Sequence, residues 1–324
     1  MRIVATAEVP AVAHRAFAPL GEILVRAGGL AGEPCVEVLI VRGTPLDADT
    51  LADLPDLRAI ARTGAGYDNL DVAAATRQGV PIVYAPGLGS RPVAEGTVAL
   101  ILAAAKRLRE LGAVVADGTW ASRYEIAALD IEGACLGVVG YGSIGRLVAR
   151  LCSGLGMEVI AYDPALDPFA EPDVELVALE DLLERADVIT LHCGLTEHTR
   201  GLVDGRLLAR VKPGTILVNV ARGQLVESAD VLADALESGR LSAVALDVFP
   251  NEPPDPGHRL YADPRVICTP HSIGLTSRWN EQVFHSLARD VQSVLDGGLP
   301  TNVLNPEALT GSPGAHDRAQ RSIH

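Results

Sequence analysis

The chain lacks most of what would mark a secreted, metal-bound or nucleic-acid-bound protein. Aromatic residues are only 4% of its 324 residues, so its cores must be built from Ala, Val and Leu. Cysteines 35, 135, 152, 193 and 268 are scattered without C-x-x-C spacing. Four of them lie in apolar or small-residue runs, which reads as reduced core thiols of a cytoplasmic protein rather than a disulfide framework. The 8 histidines show no paired spacing with cysteine or carboxylate, so no metal site is expected. Basic charge is short: 27 Lys and Arg face 41 Asp and Glu, a formal net charge of −14. That leaves no basic face for a nucleic acid. The longest purely apolar run, residues 98–105, falls far short of the roughly 20 residues that span a bilayer. The opening MRIVATAEVP has too short an apolar stretch for a signal peptide.

Hydrophobic residues are plentiful at 48%, and the length suits two domains of ordinary size. Short Val- and Ile-rich runs bounded by Gly, Pro or Asp predict strands in IVATA, VEVLIVRG, LRAIARTG and VPIVYAPG. Intervening helices are predicted over 51–57 and 72–78, which makes a parallel βαβ pattern. One apolar helix is predicted over 97–111, suited to spanning two domains or lying in a subunit interface. A second βα series has strands over 135–139, 158–162, 187–192, 215–220, 242–248 and 265–269, with a helix over 229–237. Residues 279–295 carry Val283, Phe284, Leu287, Val291 and Leu295 at helical spacing. From about residue 305 the chain is rich in Pro, Gly and polar residues, and a mobile tail is expected.

The most informative run is GVVGYGSIG, residues 137–145. A short apolar strand runs into Gly140-x-Gly142-x-x-Gly145, a helical stretch follows, and Asp163 ends the next apolar run about twenty positions on. The first glycine permits a tight turn, the second lets a pyrophosphate approach the backbone, and the third lets helix and strand pack closely. The helix N-terminus faces the phosphate charge. Asp163 would accept hydrogen bonds from ribose hydroxyls and repel a 2′-phosphate, so NAD is expected rather than NADP.

Three further segments place polar groups at predicted strand ends, where open α/β sheets bind ligands. Arg222 follows a buried strand in NVARGQLV and suits a carboxylate ligand. Asp247 and Glu252 lie in ALDVFPNEPP, and His271 lies in TPHSIG. Together they supply a substrate clamp, an acid/base and a carboxylate to orient it.

These motifs resemble the D-isomer-specific 2-hydroxyacid dehydrogenase family. The likeness runs from about residue 57 to 305 through GAGYDNLD, VAEGTVALIL, GVVGYGSIG, LHCGLTEHTRGLVD, LLARVKPGTILVNVARG, ALDVFPNEP and TPHSIG. The resemblance implies an α/β fold of two doubly wound parallel-sheet domains, a Rossmann cofactor domain inserted in a flavodoxin-like substrate domain. The boundaries expected are 98–285 for the cofactor domain and 1–97 plus 286–324 for the other. It further implies a homodimer joined through the cofactor domains and NAD-dependent interconversion of a D-2-hydroxy acid and its 2-oxo acid. Arg222, Glu252 and His271 would be the catalytic set. Ser143, Ile144, His192, Val220, Ala221, Asp247 and Gly274 would join Gly140, Gly142, Gly145 and Asp163 around the cofactor. Ala65 and Gly66 would hold the substrate carboxylate through their N–H groups.

Arg62 and Arg91 are candidate ligands for a second substrate anion, which makes D-3-phosphoglycerate an alternative substrate. The chain is expected to stop short of a regulatory amino-acid-binding domain. An alternative of a different class is an NAD(H)-sensing corepressor-like protein, against which the acidity and the complete catalytic set argue. Gly96 departs from the family pattern, standing where a histidine is common, as do Tyr84 and Gly194.

Overall fold

A computed structural model describes residues 1–310 except 28, 31, 32, 34, 168–170 and 172. The chain divides into two compact units: Met1–Gly89 together with the chain from Leu275, and Ser90–Gly274.

In the first unit, β1 (Ile3–Ala5), β2 (Ile23–Val25), β3 (Val38–Val41), β4 (Ala59–Arg62) and β5 (Ile82–Val83) form one sheet in the order β2-β1-β3-β4-β5. Every pairing between them is parallel, and the order is that of flavodoxin-like doubly wound sheets. All four residues of β3 are buried, as a strand covered on both faces requires. The helix Ser277–Leu295 lays Trp279, Val283, Phe284, Leu287 and Val291 into the core that also holds Phe17 of the helix Ala11–Phe17. Each large apolar side chain buried there contributes about 1.5–3 kcal/mol.

Three differences from the sequence-based expectation have clear causes. β2 was not anticipated, because its three residues, ILV between Glu22 and Arg26, are too short a run to signal a strand. The tail does not loosen at residue 305. Asn305 is buried, its Oδ1 accepts from the Ile82 N–H at 2.7 Å, and its amide donates to the Val80 carbonyl at 2.9 Å and to Thr76 Oγ1 at 3.1 Å. A short helix, Glu307–Thr310, follows it, and residues 311–324 lie outside the described residues. Finally, the helix Ser277–Leu295 begins the chain's return to the first unit, so that unit resumes at Leu275 rather than inside the helix at 286.

In the second unit, β6 (Cys135–Val139), β7 (Glu158–Tyr162), β8 (Glu175–Leu176), β9 (Val188–Leu191), β10 (Thr215–Asn219), β11 (Leu241–Leu246) and β12 (Val266–Cys268) form one sheet. Its order is β12-β11-β10-β9-β6-β7-β8, the Rossmann arrangement, extended by one strand. The order reverses where β6 meets β9, the switch point at whose carboxyl strand ends open α/β sheets bind ligands. β8 was missed because only two residues pair.

The apolar stretch over 97–111 is two helices rather than one: Ser90–Ala105 and Leu108–Ala116. Arg107 breaks it with a left-handed backbone, φ 54°. Its guanidinium donates to the Ser242 carbonyl and pairs with Glu110 at 2.6 Å. Arg109 donates to the Asp263 carbonyl at 2.9 Å and to the Val266 carbonyl. These two arginines tie the break to the β11–β12 region, an outcome of tertiary contact that helical periodicity does not carry. Ser90–Ala105 packs on the helix Ser143–Ser153 and on β10 and β11, so the whole helix belongs to the second unit. A boundary at 97/98 would cut it. No described helix is long and apolar enough to cross a membrane.

Candidate active site

The glycine loop follows β6 and opens the helix Ser143–Ser153. Gly140 has φ +94°, and a Cβ on it would lie 2.5 Å from the Cys193 backbone nitrogen. A Cβ on Gly145 would lie 2.2 Å from the Gly140 carbonyl oxygen. Both positions therefore need glycine for packing within the protein. Gly142 differs. It is the N-cap residue, makes no side-chain cap bond, and a Cβ there would meet nothing within 4 Å. Open space thus lies beside a helix N-terminus whose first N–H groups lack a side-chain cap, which fits a pyrophosphate. Ser143 Oγ lies 3.1 Å from Ser90 Oγ, and Ile144 is half-buried against the core.

Asp163 sits just past β7. One carboxylate oxygen accepts from the Tyr141 N–H at 2.9 Å, the other from the Ala165 N–H at 3.1 Å. Each oxygen keeps a lone pair for a ribose hydroxyl. His192, just past β9, places Nε2 2.9 Å from Thr190 Oγ1, while its buried Nδ1 has no partner. Burial pushes its pKa down to about 3, so the ring is neutral at physiological pH. These residues fit a dinucleotide along the carboxyl edge of β6, β7 and β9.

The strand ends of β10, β11 and β12 gather the remaining polar groups. Asn219, wholly buried, accepts from the Ala221 N–H at 3.1 Å and donates to the Arg222 carbonyl at 2.9 Å. It thereby shapes the turn that carries Val220, Ala221 and Arg222. Gly223 completes this turn against the next strand's exit, since a Cβ there would lie 1.9 Å from the Phe249 carbonyl carbon.

Asp247 is buried and organises the turn after β12. Its Oδ1 accepts from Thr269 Oγ1 at 2.6 Å, the Ser272 N–H at 2.8 Å and the Ile273 N–H at 3.1 Å. Its backbone carbonyl accepts from the His271 N–H at 2.8 Å. Burial raises the Asp247 pKa, opposed by these hydrogen bonds and by the His271 charge. The bonds hold His271 at φ 50°, a left-handed conformation that costs a non-glycine residue of order 1–2 kcal/mol.

His271 Nδ1 lies 2.8 Å from Glu252 Oε2, and Glu252 Oε1 accepts from the Phe249 N–H at 3.1 Å. Burial raises the Glu252 pKa, but the His271 hydrogen bond and charge, the Phe249 N–H and the Arg222 charge outweigh it. The net shift is downward. Glu252 therefore remains a carboxylate facing the imidazole. Gly274 ends this loop, where a Cβ would meet Val93 Cγ2 at 2.7 Å.

Arg62, Ala65 and Gly66 belong to the first unit. Arg62 Nε donates to the Gly66 carbonyl at 2.6 Å, and its Nη1 donates to the Arg42 carbonyl. Part of the guanidinium therefore braces the 62–66 loop. Arg91 pairs with Glu95 one helical turn on, Nε to Oε1 2.5 Å, on an exposed face. Two site-shaping residues escaped the sequence reading. Asn219 had a visible signal, a polar residue ending the apolar run TILV. Thr269 had none beyond adjacency to Pro270 and His271. Among the described residues there is no cluster of three or more potential metal ligands.

A family model for the D-isomer-specific 2-hydroxyacid dehydrogenase NAD-binding domain matches residues 98–272. The chain is 40% identical over 279 residues to D-3-phosphoglycerate dehydrogenase of Mycobacterium bovis, covering 85% of this chain and 52% of the relative. It is 34% identical over 284 residues to glyoxylate reductase of Korarchaeum cryptofilum, covering 86% of this chain and 85% of the relative. A solved structure of a Thermus thermophilus protein is similar with TM-score 0.85 and 33% identity, covering 94% of this chain and 100% of that one. The chain spans about half the length of the curated phosphoglycerate dehydrogenase it matches.

Proposed function

The chain belongs to the D-isomer-specific 2-hydroxyacid dehydrogenase family and carries its NAD-binding domain, and we propose that it interconverts a D-2-hydroxy acid and the 2-oxo acid. The carrying observation is the 2.8 Å contact of His271 Nδ1 with the ionised Glu252. The cofactor held by the glycine loop and Asp163 would supply the hydride acceptor for oxidation as NAD and the hydride donor for reduction as NADH. With Nδ1 committed to Glu252, Nε2 of His271 holds the proton that passes to the carbonyl oxygen in reduction and is regained in oxidation. The Glu252 carboxylate holds the ring in the orientation that presents Nε2 to the reacting oxygen. Arg222 binds the substrate carboxylate or carbonyl and stabilises the charge developing on oxygen.

Around the cofactor we assign Gly140, Gly142, Ser143, Ile144 and Gly145 to the pyrophosphate and Asp163 to the ribose. His192, Val220, Ala221, Asp247 and Gly274 complete that set. The Ala65 and Gly66 N–H groups are assigned to the substrate carboxylate. D-3-phosphoglycerate is the second reading, supported by the 40% identity to an enzyme of that name. In that case Arg62 or Arg91 would meet the phosphate, and each would have to redirect contacts now made to backbone carbonyls or to Glu95. A homodimer is supported by four large apolar side chains exposed on the second unit, Leu108, Val115, Trp120 and Tyr124. A cytoplasmic location fits the reduced cysteines.

The test is NADH oxidation with glyoxylate, hydroxypyruvate, pyruvate, a branched-chain oxo acid and 3-phosphohydroxypyruvate. Turnover of at least one, lost in His271→Ala, is expected. NADH binding without turnover of any would overturn the dehydrogenase reading in favour of an NAD(H) sensor.

A further inference from the structure

Arg146 lies one turn into the helix that opens at the glycine loop. Its guanidinium carbon stands 4.7 Å from the centre of the Tyr141 ring, a cation–π distance. Both terminal nitrogens donate to Glu171, one to each carboxylate oxygen. Tyr141 is itself the residue between Gly140 and Gly142, and its N–H is held by Asp163 at 2.9 Å. Asp163, Tyr141, Arg146 and Glu171 therefore form one connected chain beside the end of β7, all within the second unit.

These contacts set a cation one side chain away from the acid assigned to the ribose, near enough for the Asp163 charge to act on it. An arginine there is what a 2′-phosphate needs, because the planar guanidinium matches phosphate oxygens with paired hydrogen bonds. In this protein the same fork is closed on a carboxylate that shares its geometry. The Glu171 side chain is 16% exposed and that of Arg146 36%, so the pair lies at the surface, where Arg146 can be reached once Glu171 lets it go.

We propose that Glu171 is a second determinant of NAD over NADP, acting by occupying Arg146, and that Arg146 is a latent 2′-phosphate ligand. The inference rests on the assignment of Asp163 to the cofactor ribose. Asp163 excludes the 2′-phosphate by repulsion, and Glu171 withholds a cation that the helix would otherwise offer it. Loss of either acid alone leaves the other exclusion standing, so the two act together.

Binding of NADH, NADPH, 5′-AMP and adenosine 2′,5′-bisphosphate is to be measured by fluorescence and calorimetry, with no turnover required. The chains compared are the wild type, Asp163→Ser, Glu171→Gln, the double variant, and the double variant carrying Arg146→Met. The double variant is expected to bind the 2′-phosphorylated ligands at least tenfold more tightly than Asp163→Ser does. Arg146→Met should abolish that gain while leaving 5′-AMP affinity within about threefold. Equal affinity of the double variant and Asp163→Ser would overturn the proposal, as would a gain that survives Arg146→Met. Unchanged NADH affinity in Asp163→Ser would instead remove the ribose assignment, and the inference with it.

Discussion

A Cβ placed on Gly96 would stand 2.1 Å from Cγ1 of Ile273 and 3.1 Å from its carbonyl oxygen. The missing histidine at this family position therefore has a steric reason: Ile273, two residues past His271, fills the space. Gly96 lies inside the helix Ser90–Ala105, where alanine would gain about 1 kcal/mol of helix propensity. Overpacking typically costs about 1–3 kcal/mol and should prevail. Gly96→Ala is expected to lower the free energy of unfolding by about 1 kcal/mol net, with Ile273→Ala relieving the loss. Denaturant unfolding of both single variants and the double variant checks this, and strictly additive effects would show that the two positions do not touch.

The contact between Glu252 and His271 should be visible in pH dependence. His271→Ala is expected to lower kcat about 10²–10⁴-fold. Glu252→Gln keeps a hydrogen-bonding side chain but no charge, so it orients the ring less firmly and should lower kcat while leaving cofactor affinity nearly unchanged. The folded-state pKa of Glu252 is depressed below 4.5. Its stabilising contribution is therefore complete above pH 4.5 and is lost as pH falls through the lower folded value. A kcat of Glu252→Gln equal to that of the wild type, or an acid limb of unfolding unchanged by the substitution, would contradict the assignment.

Gly142 and Gly145 of the loop should separate in experiment. Gly142 has φ −82° and open space around its missing Cβ. Gly142→Ala should cost no more than about 1 kcal/mol of stability, the N-cap preference for glycine over alanine, and weaken NADH binding at least tenfold. Gly145→Ala would press a Cβ against the Gly140 carbonyl at 2.2 Å and should destabilise the fold by about 2 kcal/mol. Melting curves and NADH titrations of the two variants distinguish them. Equal losses of stability would refute a ligand-facing role for Gly142.

His192 should make the protein acid-sensitive without taking a proton itself. Its pKa falls from 6.5 to about 3 in the folded state because of burial. Between these values the unfolded chain binds a proton that the folded chain refuses, so stability rises with pH across that window and levels off above 6.5. The limiting slope is about 1.4 kcal/mol per pH unit. His192→Gln should remove this component, read as a flatter dependence of unfolding free energy on pH between about 4 and 6.5. An unchanged slope would mean that His192 is solvated and titrates normally.

Much of the site was legible in local sequence because its parts are backbone devices. Gly140, Gly142 and Gly145 announce a strand-to-helix turn through spacing alone, and Asp163 follows at the distance one βαβ unit imposes. Arg222, Glu252 and His271 stand out as polar residues after apolar runs, and their positions at strand ends follow from the parallel pattern. The pairing of His271 with Glu252 is different. It depends on the β11 exit, the Asp247 carbonyl and the left-handed backbone at His271, none of which has a local signature.

Local patterns along the chain were enough for the α/β class, ten of the twelve described strands, the glycine loop and the candidate polar set, because periodicity and turn chemistry act over a few residues. Tertiary structure decided where long helices break and which unit owns them. Arg107 ends a helix because its side chain is wanted by the Ser242 carbonyl, and Asn305 is fixed because Ile82 and Val80 need partners at a sheet edge. Such demands come from groups distant in sequence, and only the folded chain brings them together.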